Sequence, residues 1–217
     1  MYLSDERLII AKLNGTHDLA FNLFAVDDAQ LMMLTCDSYR RQYEPLDIED
    51  FEAALKILRD LDDTYVIYNG GQNAGCSRMH KHLQGLKGPP HAFDVLINDG
   101  AKVPFEYFKH HFQGGLESTP AQEIVNVYQA LLARSRAALG LKEEEPCAHN
   151  VVLWRDWLLV IPRSSAYFEK TSGNAAGMCG SPWVPEQSQV DEWMRLGPGN
   201  VLRALGVPRS DGEPQTS

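Results

Sequence analysis

Two histidines and a glutamine stand at strict two-residue spacing in the segment MHKHLQ, as His80, His82 and Gln84. The segment before it, NGGQNAGCSR, is rich in glycine, asparagine and serine. Glycines permit positive φ and close backbone approach, so such a loop can turn its amides toward phosphate oxygens. An imidazole beside bound phosphate can attack phosphorus and form a phosphoramidate, which divides one hard displacement into two easier ones. The pattern therefore favours covalent transfer of a phosphoryl or nucleotidyl group.

The spacing also indicates how the three side chains are arranged. Residues two apart on a strand share a face, so His80, His82 and Gln84 should point one way and Lys81 the other. The second histidine can orient the first or assist the leaving group. Glutamine can donate a hydrogen bond to a phosphoryl oxygen, but it cannot shuttle a proton. That difference favours transfer to a second acceptor over rapid hydrolysis.

Two other interpretations of the histidine pair remain open at this point. Histidines at this spacing can chelate a metal, which requires a third ligand. Candidates for that ligand are His91, His110, His111 and His149. The pair can also be two polar residues on a half-exposed strand, although such a strand has no need of the glycine-rich loop.

The elements that must position these residues combine strands and helices. Alternating or continuous apolar runs predict strands at 64–69 and 80–86, two strands within 19–35 separated by Asp27 and Asp28, and a hairpin at 149–164. Helical periodicity predicts helices at 45–62 and 118–140 and short helices in 189–197 and 199–206. Paired strands with segregated helices are typical of an α+β domain.

Composition excludes several classes of protein. The 217 residues are 44% hydrophobic and 23% charged, which is enough apolar material for a sizeable core. A net charge of -9 without clustered Lys and Arg argues against nucleic-acid binding. No apolar run is long enough to span a membrane, and the N-terminus lacks a signal-peptide pattern. The four scattered cysteines form no CxxC pair. We expect a cytoplasmic protein.

The motif HKHLQ resembles the His-x-His-x-Gln signature of the nucleotidyltransferase branch of the histidine triad superfamily, in particular the diadenosine tetraphosphate phosphorylases or ATP adenylyltransferases. AGCSRMHKHLQ also resembles a loop of galactose-1-phosphate uridylyltransferases. The segments RRQYEPLDIEDFEAAL, HNVVLWRDWLLVIPRS and SGNAAGMCGSPWV resemble further parts of the phosphorylases. The resemblance implies a histidine-triad-like fold, an antiparallel sheet with helices, built from two similar halves in one chain.

On that resemblance residues 1–206 form a single domain, with an N-terminal part, 1–117, that carries the motif and a C-terminal part, 118–206. Residues 207–217 should be a mobile tail. The resemblance makes His82 the nucleophile, His80 its supporting partner and Gln84 the group that stabilises the phosphoryl oxygens. The implied substrate-binding residues are Asn69, Gly75, Cys76, Ser77, Arg78 and Asn174.

The implied reaction transfers AMP from a dinucleoside polyphosphate to His82 and then to inorganic phosphate, giving ATP and ADP. It requires no cofactor and no metal, and the protein should be a monomer or homodimer. The alternatives are a degenerate nucleotide-binding protein or a nucleotidyl hydrolase with a smaller substrate. Two family lysines are absent, since Leu23 and Pro185 occupy their positions. Arg78 and Arg163 are candidates to replace them, although Arg163 could also be a solvated charge.

Overall fold

One antiparallel sheet organises the molecule. The computed structural model describes residues 6–26, 30–98 and 102–209, and within these ranges the sheet has eight strands. They are β1 (Ile9–Leu13), β2 (His17–Phe21), β3 (Leu31–Thr35), β4 (Thr64–Gly70), β5 (His82–Lys87), β6 (Phe108–His111), β7 (His149–Trp154) and β8 (Trp157–Pro162). Their order across the sheet is β1-β2-β3-β5-β4-β7-β8-β6. The predicted α+β class and antiparallel sheet are therefore confirmed.

Helices cover both faces of this sheet. They are α1 (Ile48–Asp60), α2 (Phe93–Asn98), α3 (Ala121–Ala138), α4 (Ala175–Met178), α5 (Gln187–Leu196) and α6 (Pro198–Leu205), and a small hairpin adds β9 (Tyr167–Phe168) and β10 (Thr171–Ser172). Among the described residues no helix is long and apolar enough to cross a membrane.

Strand β7 explains why the central sheet has continuous apolar runs instead of alternation. Val151 and Leu153 face a core shared with α1 and α3. Val152 and Trp154 face the opposite core, shared with α2, α4 and α6. A strand buried on both faces needs apolar residues at every position.

The two groups of strands meet where β4 pairs with β7. Ile67 lies opposite Val152 in that register, and Asn69 lies opposite Asn150. On the far side β6 pairs with β8, so strand 108–111 belongs with the C-terminal strands. The C-terminal group of the sheet thus begins before the division predicted at residue 117.

Some boundaries differ from the predictions. Asp27 and Asp28, predicted to separate two strands, lie outside the described residues, as does 210–217 of the predicted tail. The tail prediction is wrong for 207–209. Glu106 N–H donates to Val207 C=O at 2.8 Å, and Phe105 forms an isolated β-bridge with Pro208. These residues have backbone partners, so the ordered chain extends past the predicted end.

Candidate active site

The backbone of His82 is held by a side chain from a distant loop. The ladder between β4 and β5 runs from Thr64 opposite Lys87 to Ile67 opposite Gln84. Beyond it Gln42 lies between the two strands. Its Oε1 accepts from His82 N–H at 2.8 Å, and its Nε2 donates to His82 C=O at 2.9 Å and to Asn69 C=O at 3.2 Å. Gln42 thereby extends the ladder to the predicted nucleophile.

The imidazole of His82 is held in one tautomer. Its Nδ1 lies 2.9 Å from the carbonyl oxygen of His80, which can only accept, so Nδ1 carries the proton. Nε2 therefore bears the lone pair. The side chain of His82 is buried, and this burial lowers its pKa to about 4. At neutral pH the ring is uncharged, and Nε2 has the free lone pair that the predicted role as nucleophile requires.

His80 contacts the ring of His82 through its backbone carbonyl oxygen, while its own Nε2 lies 2.9 Å from the hydroxyl of Thr35. Its role as the supporting partner of His82 stays a prediction. That hydroxyl also faces the carbonyl oxygens of Asp37 and Lys81. Since those carbonyls accept the hydroxyl proton, Nε2 of His80 donates to Thr35. Burial lowers the pKa of His80.

Nε2 of His82 faces a cavity of about 600 Å³. His82, Gln84, the loop 75–78 and Asn174 all line it, so the structure brings most of the predicted residues together. Gln84 Nε2 lies 3.4 Å from His82 Nε2. The cavity faces away from α1 and α3, because the even-numbered side chains of β5 point to the other side of the sheet. Lys81 points the opposite way, as predicted, and reaches Asp50 on α1.

Gly75 allows the two halves of the chain to meet at this cavity. Its φ is +83°, which strongly favours glycine. A Cβ at this position would lie 2.7 Å from the carbonyl oxygen of Gly173 and 2.9 Å from Cα of Asn174. The motif loop therefore packs directly on the loop that precedes α4, and Asn174 caps that helix by accepting from Gly177 N–H at 3.1 Å.

Asn69 lies behind the cavity and does not line it. Its Oδ1 accepts from Asn150 Nδ2 at 2.8 Å and from Ala175 N–H at 2.9 Å. The side chain joins β4 to β7 and to the first residue of α4. In this structure Asn69 positions the loop of Asn174, and its predicted contact with the nucleotide stays a prediction.

Arg163 was predicted either to replace a family lysine at the site or to be a solvated charge, and both predictions are wrong. The side chain is 1% exposed and donates only to carbonyl-type oxygens, those of Ala74, Ser165, Gly173 and Leu205 and the Asn150 side chain. Burial lowers its pKa to about 9. Arg163 is therefore neither solvated nor facing the cavity. It braces the residues adjoining Gly75 and Asn174.

Arg78 is the cation among the described residues that line the cavity. Asn22 and Phe24 line the cavity, whereas Leu23 between them is not part of its lining. Arg78 makes no ion pair with any residue in the described ranges and is only partly buried. It also borders a second cavity of about 540 Å³ on the other side of the loop.

Three of the four histidines considered as third metal ligands have other contacts or lie on a distant strand. His149 is buried, with Nδ1 2.8 Å from Cys147 C=O and Nε2 2.8 Å from the Tyr128 hydroxyl. His110 and His111 are on β6, separated from β5 by three strands and so by roughly 19 Å. No group of three or more His, Cys, Asp or Glu side chains among residues 6–26, 30–98 and 102–209 is placed to hold a metal ion.

Sequence reasoning missed three side chains of this site, Gln30, Thr35 and Gln42. Each reaches the motif from more than 35 residues away, and no local pattern marks it. Gln42 lies within RRQYEPLDIEDFEAAL, so the resemblance of that segment was the available signal. Gln30 comes close to Gln84 because β3 pairs with β5, with Met32 opposite Gln84.

Comparison with known proteins identifies the family of this chain. Two protein-family models match: the Ap4A phosphorylase N-terminal domain over residues 2–108 and the ATP adenylyltransferase C-terminal domain over residues 101–208. Protein APA1 of Saccharomyces cerevisiae is 28% identical, over 96% of this chain and 76% of that protein. Diadenosine 5',5'''-P1,P4-tetraphosphate phosphorylase 2 of the same yeast is 26% identical, over 98% and 77%.

Solved structures of yeast Ap4A phosphorylase Apa2 have the same fold. The complex with AMP matches with a TM-score of 0.83 and 23% identity, covering 95% of this chain and 80% of that one. The complex with Ap4A matches with a TM-score of 0.78 and 22% identity, covering 95% and 79%. With the two family models matching consecutive parts of the sequence from residue 2 to 208, the chain belongs to the Ap4A phosphorylase and ATP adenylyltransferase family.

Proposed function

We propose that this chain is a nucleotidyltransferase that cleaves a dinucleoside polyphosphate of the diadenosine tetraphosphate type with inorganic phosphate, giving ATP and ADP. The observation that carries the proposal is the neutral imidazole of His82, whose Nε2 faces the cavity beside Gln84. The names of the yeast relatives, one of them solved with Ap4A, support the choice of substrate.

In the first step the lone pair on Nε2 of His82 attacks the phosphorus of an AMP unit. The P–N bond forms, the P–O bond to the remaining phosphates breaks, and ATP departs with the electron pair. No base is needed, since Nε2 is already unprotonated. The positive charge that develops on the ring is stabilised by the carbonyl oxygen of His80, which accepts from Nδ1–H.

In the second step an oxygen of inorganic phosphate attacks the same phosphorus. The new P–O bond forms, the P–N bond breaks, and its electron pair returns to Nε2, so the product is ADP. Phosphate arrives as an anion and needs no base, whereas water must lose a proton. Gln84 can donate to the phosphoryl oxygens in both steps but cannot take that proton. This chemistry favours phosphorolysis over hydrolysis.

The wall of the cavity suits a polyphosphate. The residues from Gly75 to Arg78 line the cavity together with His82, and Arg78 adds a positive charge to this wall. Arg78 borders both cavities. We therefore propose that its guanidinium binds phosphates that lysines at positions 23 and 185 would otherwise contact. Neither step as written requires a cofactor. Both halves of one chain line the cavity, so either a monomer or a homodimer is compatible with it, and a cytoplasmic location stays a prediction.

The test is to incubate the protein with diadenosine tetraphosphate labelled at an AMP phosphorus. Without phosphate, we expect ATP release and a labelled protein, and addition of phosphate should convert the label to ADP. His82→Asn should lose both, whereas His110→Asn, on the distant strand β6, should retain both. If the wild-type protein acquires no label but the dinucleotide raises its melting temperature, the protein binds nucleotides without turnover. Label appearing as AMP in water would favour the hydrolase.

A further inference from the structure

Gln30 is a buried amide that touches the catalytic glutamine. It is 2% exposed and stands directly before β3. Its Oε1 accepts from Val26 N–H at 3.1 Å, and its Nε2 donates to Gln84 Oε1 at 2.7 Å. Gln84 Nε2 in turn lies 3.4 Å from His82 Nε2. A row of two amides thus leads from a backbone N–H to the nucleophile.

The donor and the acceptor of the hydrogen bond are fixed at both ends of this row. Val26 N–H can only donate, so Gln30 must present its oxygen there and its NH2 group to Gln84. Gln84 must then present its own oxygen to Gln30, which leaves its NH2 group toward His82. At the other end the His80 carbonyl fixes the proton on Nδ1, so Nε2 has a lone pair that suits that NH2 group. The orientations agree along the whole row.

We propose that Gln30 is a positioning residue for nucleotidyl transfer, which fixes the amide of Gln84 so that its NH2 group, and not its carbonyl oxygen, faces the phosphoryl group on His82. The inference rests on the proposed function. The terminal torsion of glutamine is broad and roughly two-fold, so an unsupported Gln84 can turn its oxygen toward the cavity. A carbonyl oxygen there would repel the phosphoryl oxygens instead of donating to them.

Gln30 also holds the edge of the cavity. Its carbonyl accepts from Asn22 N–H at 3.1 Å, while its side chain accepts from Val26 N–H. The segment 22–26, with Phe24 and Val26 on the cavity wall, is therefore tied at both ends to one residue. For measurements of turnover, a substitution at Gln30 has to preserve this segment, because Phe24 and Val26 line the cavity.

Gln30→Glu meets that requirement. One carboxylate oxygen can still accept from Val26 N–H, while the other now accepts from the NH2 group of Gln84 and reverses that amide. At pH 8 we expect kcat to fall by about 10²-fold, as when one transition-state donor is lost, with a much smaller change in KM. As the pH falls, the buried carboxyl is protonated and can donate to Gln84 Oε1 again. The deficit relative to wild type should therefore shrink between pH 8 and pH 6.

A purely structural role for Gln30 would not produce this pH dependence. Gln122→Glu, on the exposed surface of α3, adds the same charge far from the cavity and should leave kcat unchanged at both pH values. An unchanged kcat in Gln30→Glu at pH 8, or a deficit of equal size at pH 6 and pH 8, would overturn the proposal.

A second measurement does not depend on turnover. Gln30→Leu adds no charge but frees the amide of Gln84, whose oxygen can then accept from a protonated Nε2 of His82. The ¹⁵N NMR titration of His82 should therefore give a higher pKa in Gln30→Leu than in wild type, and an unchanged pKa would count against the inference. If wild type forms no nucleotidyl-enzyme while this shift is observed, the proposed function fails and the positioning of Gln84 by Gln30 stands.

Discussion

Lys81 stands between the two histidines in the sequence. Its replacement should lower the unfolding free energy more than the replacement of a surface lysine does. Its ammonium is completely buried, 2.5 Å from Asp50 Oδ2 and 2.8 Å from the carbonyl oxygen of Pro45. Asp50 is equally buried and also accepts from Asp47 N–H at 2.8 Å, while its Oδ1 lies 3.1 Å from Nε2 of His17. We consider the substitution Lys81→Met, which keeps most of the length of the side chain.

The expected magnitude follows from what the substitution leaves behind. Asp50 would keep its bonds to Asp47 and His17 but lose its only lysine, so a carboxylate would remain buried without full compensation. Breaking a buried ion pair by removing one partner costs about 3–5 kcal/mol of unfolding free energy. With a urea m value of about 2–3 kcal/mol/M, the midpoint should fall by about 1–2.5 M. Methionine fills similar volume, so a cavity adds little.

The assay is equilibrium urea unfolding followed by tryptophan fluorescence, with Lys56→Met as the matched control. Lys56 pairs with Asp60 at 2.6 Å, but the two side chains are 50% and 54% exposed. An exposed pair of this kind contributes less than about 1 kcal/mol. If Lys81→Met lowered the midpoint no more than Lys56→Met does, the assignment of a stabilising role to the buried pair would be refuted. Adding Asp50→Asn to Lys81→Met should restore part of the loss, because no charge is then left buried.

Three further predictions concern the loop at Gly75, the pH dependence of nucleotidylation at His82 and the pH dependence of stability. Gly75→Ala combines positive φ with a clash against the backbone of Gly173 and should lower the unfolding free energy by about 2 kcal/mol or more, whereas Gly140→Ala, with positive φ and open space, should cost only about 1 kcal/mol. Equal shifts in melting temperature would contradict this reasoning. Because burial lowers the pKa of His82 to about 4, single-turnover nucleotidylation should stay constant from pH 8 to about 5 and fall as the pH drops through 4. An inflection near the ordinary value of 6.5 would show a solvated ring. Unfolding free energy should also fall below pH 6.5, since the unfolded chain protonates His82 and His149 before the folded chain does.

Local pattern was sufficient for the elements that carry the site. The apolar spacing after Asp47 predicted α1, and Asp47 caps that helix together with Asp50. The two apolar runs around Arg155 predicted the hairpin of β7 and β8. Strand periodicity placed His82 and Gln84 on one face and Lys81 on the other. These features depend on interactions between residues a few positions apart, which a single sequence displays directly.

Arg163 illustrates where local pattern ends. An arginine at the end of a strand is ordinarily solvated, and nothing near it in the sequence indicates otherwise. It is buried because Ala74, Gly173 and Leu205, from three separate segments, direct carbonyl oxygens at its guanidinium. Burial of a charged group depends on such partners, and those partners are brought together only when the two halves pack.

The sequence by itself determined the face on which His82 and Gln84 lie and the glycine-rich loop beside them, because each follows from residue type and short-range geometry. The choice of His82 as the nucleophile came from the family resemblance and stays a prediction. Only the tertiary structure decided that Gln42 bonds to the backbone of His82, that Gln30 donates to Gln84, and that the carbonyl of His80 sets the tautomer of the His82 ring. These contacts depend on the strand order β3-β5-β4 and on which buried polar groups lack a partner in the ladder. Hydrogen-bond satisfaction is a property of the packed chain, and for that reason no local segment displays it.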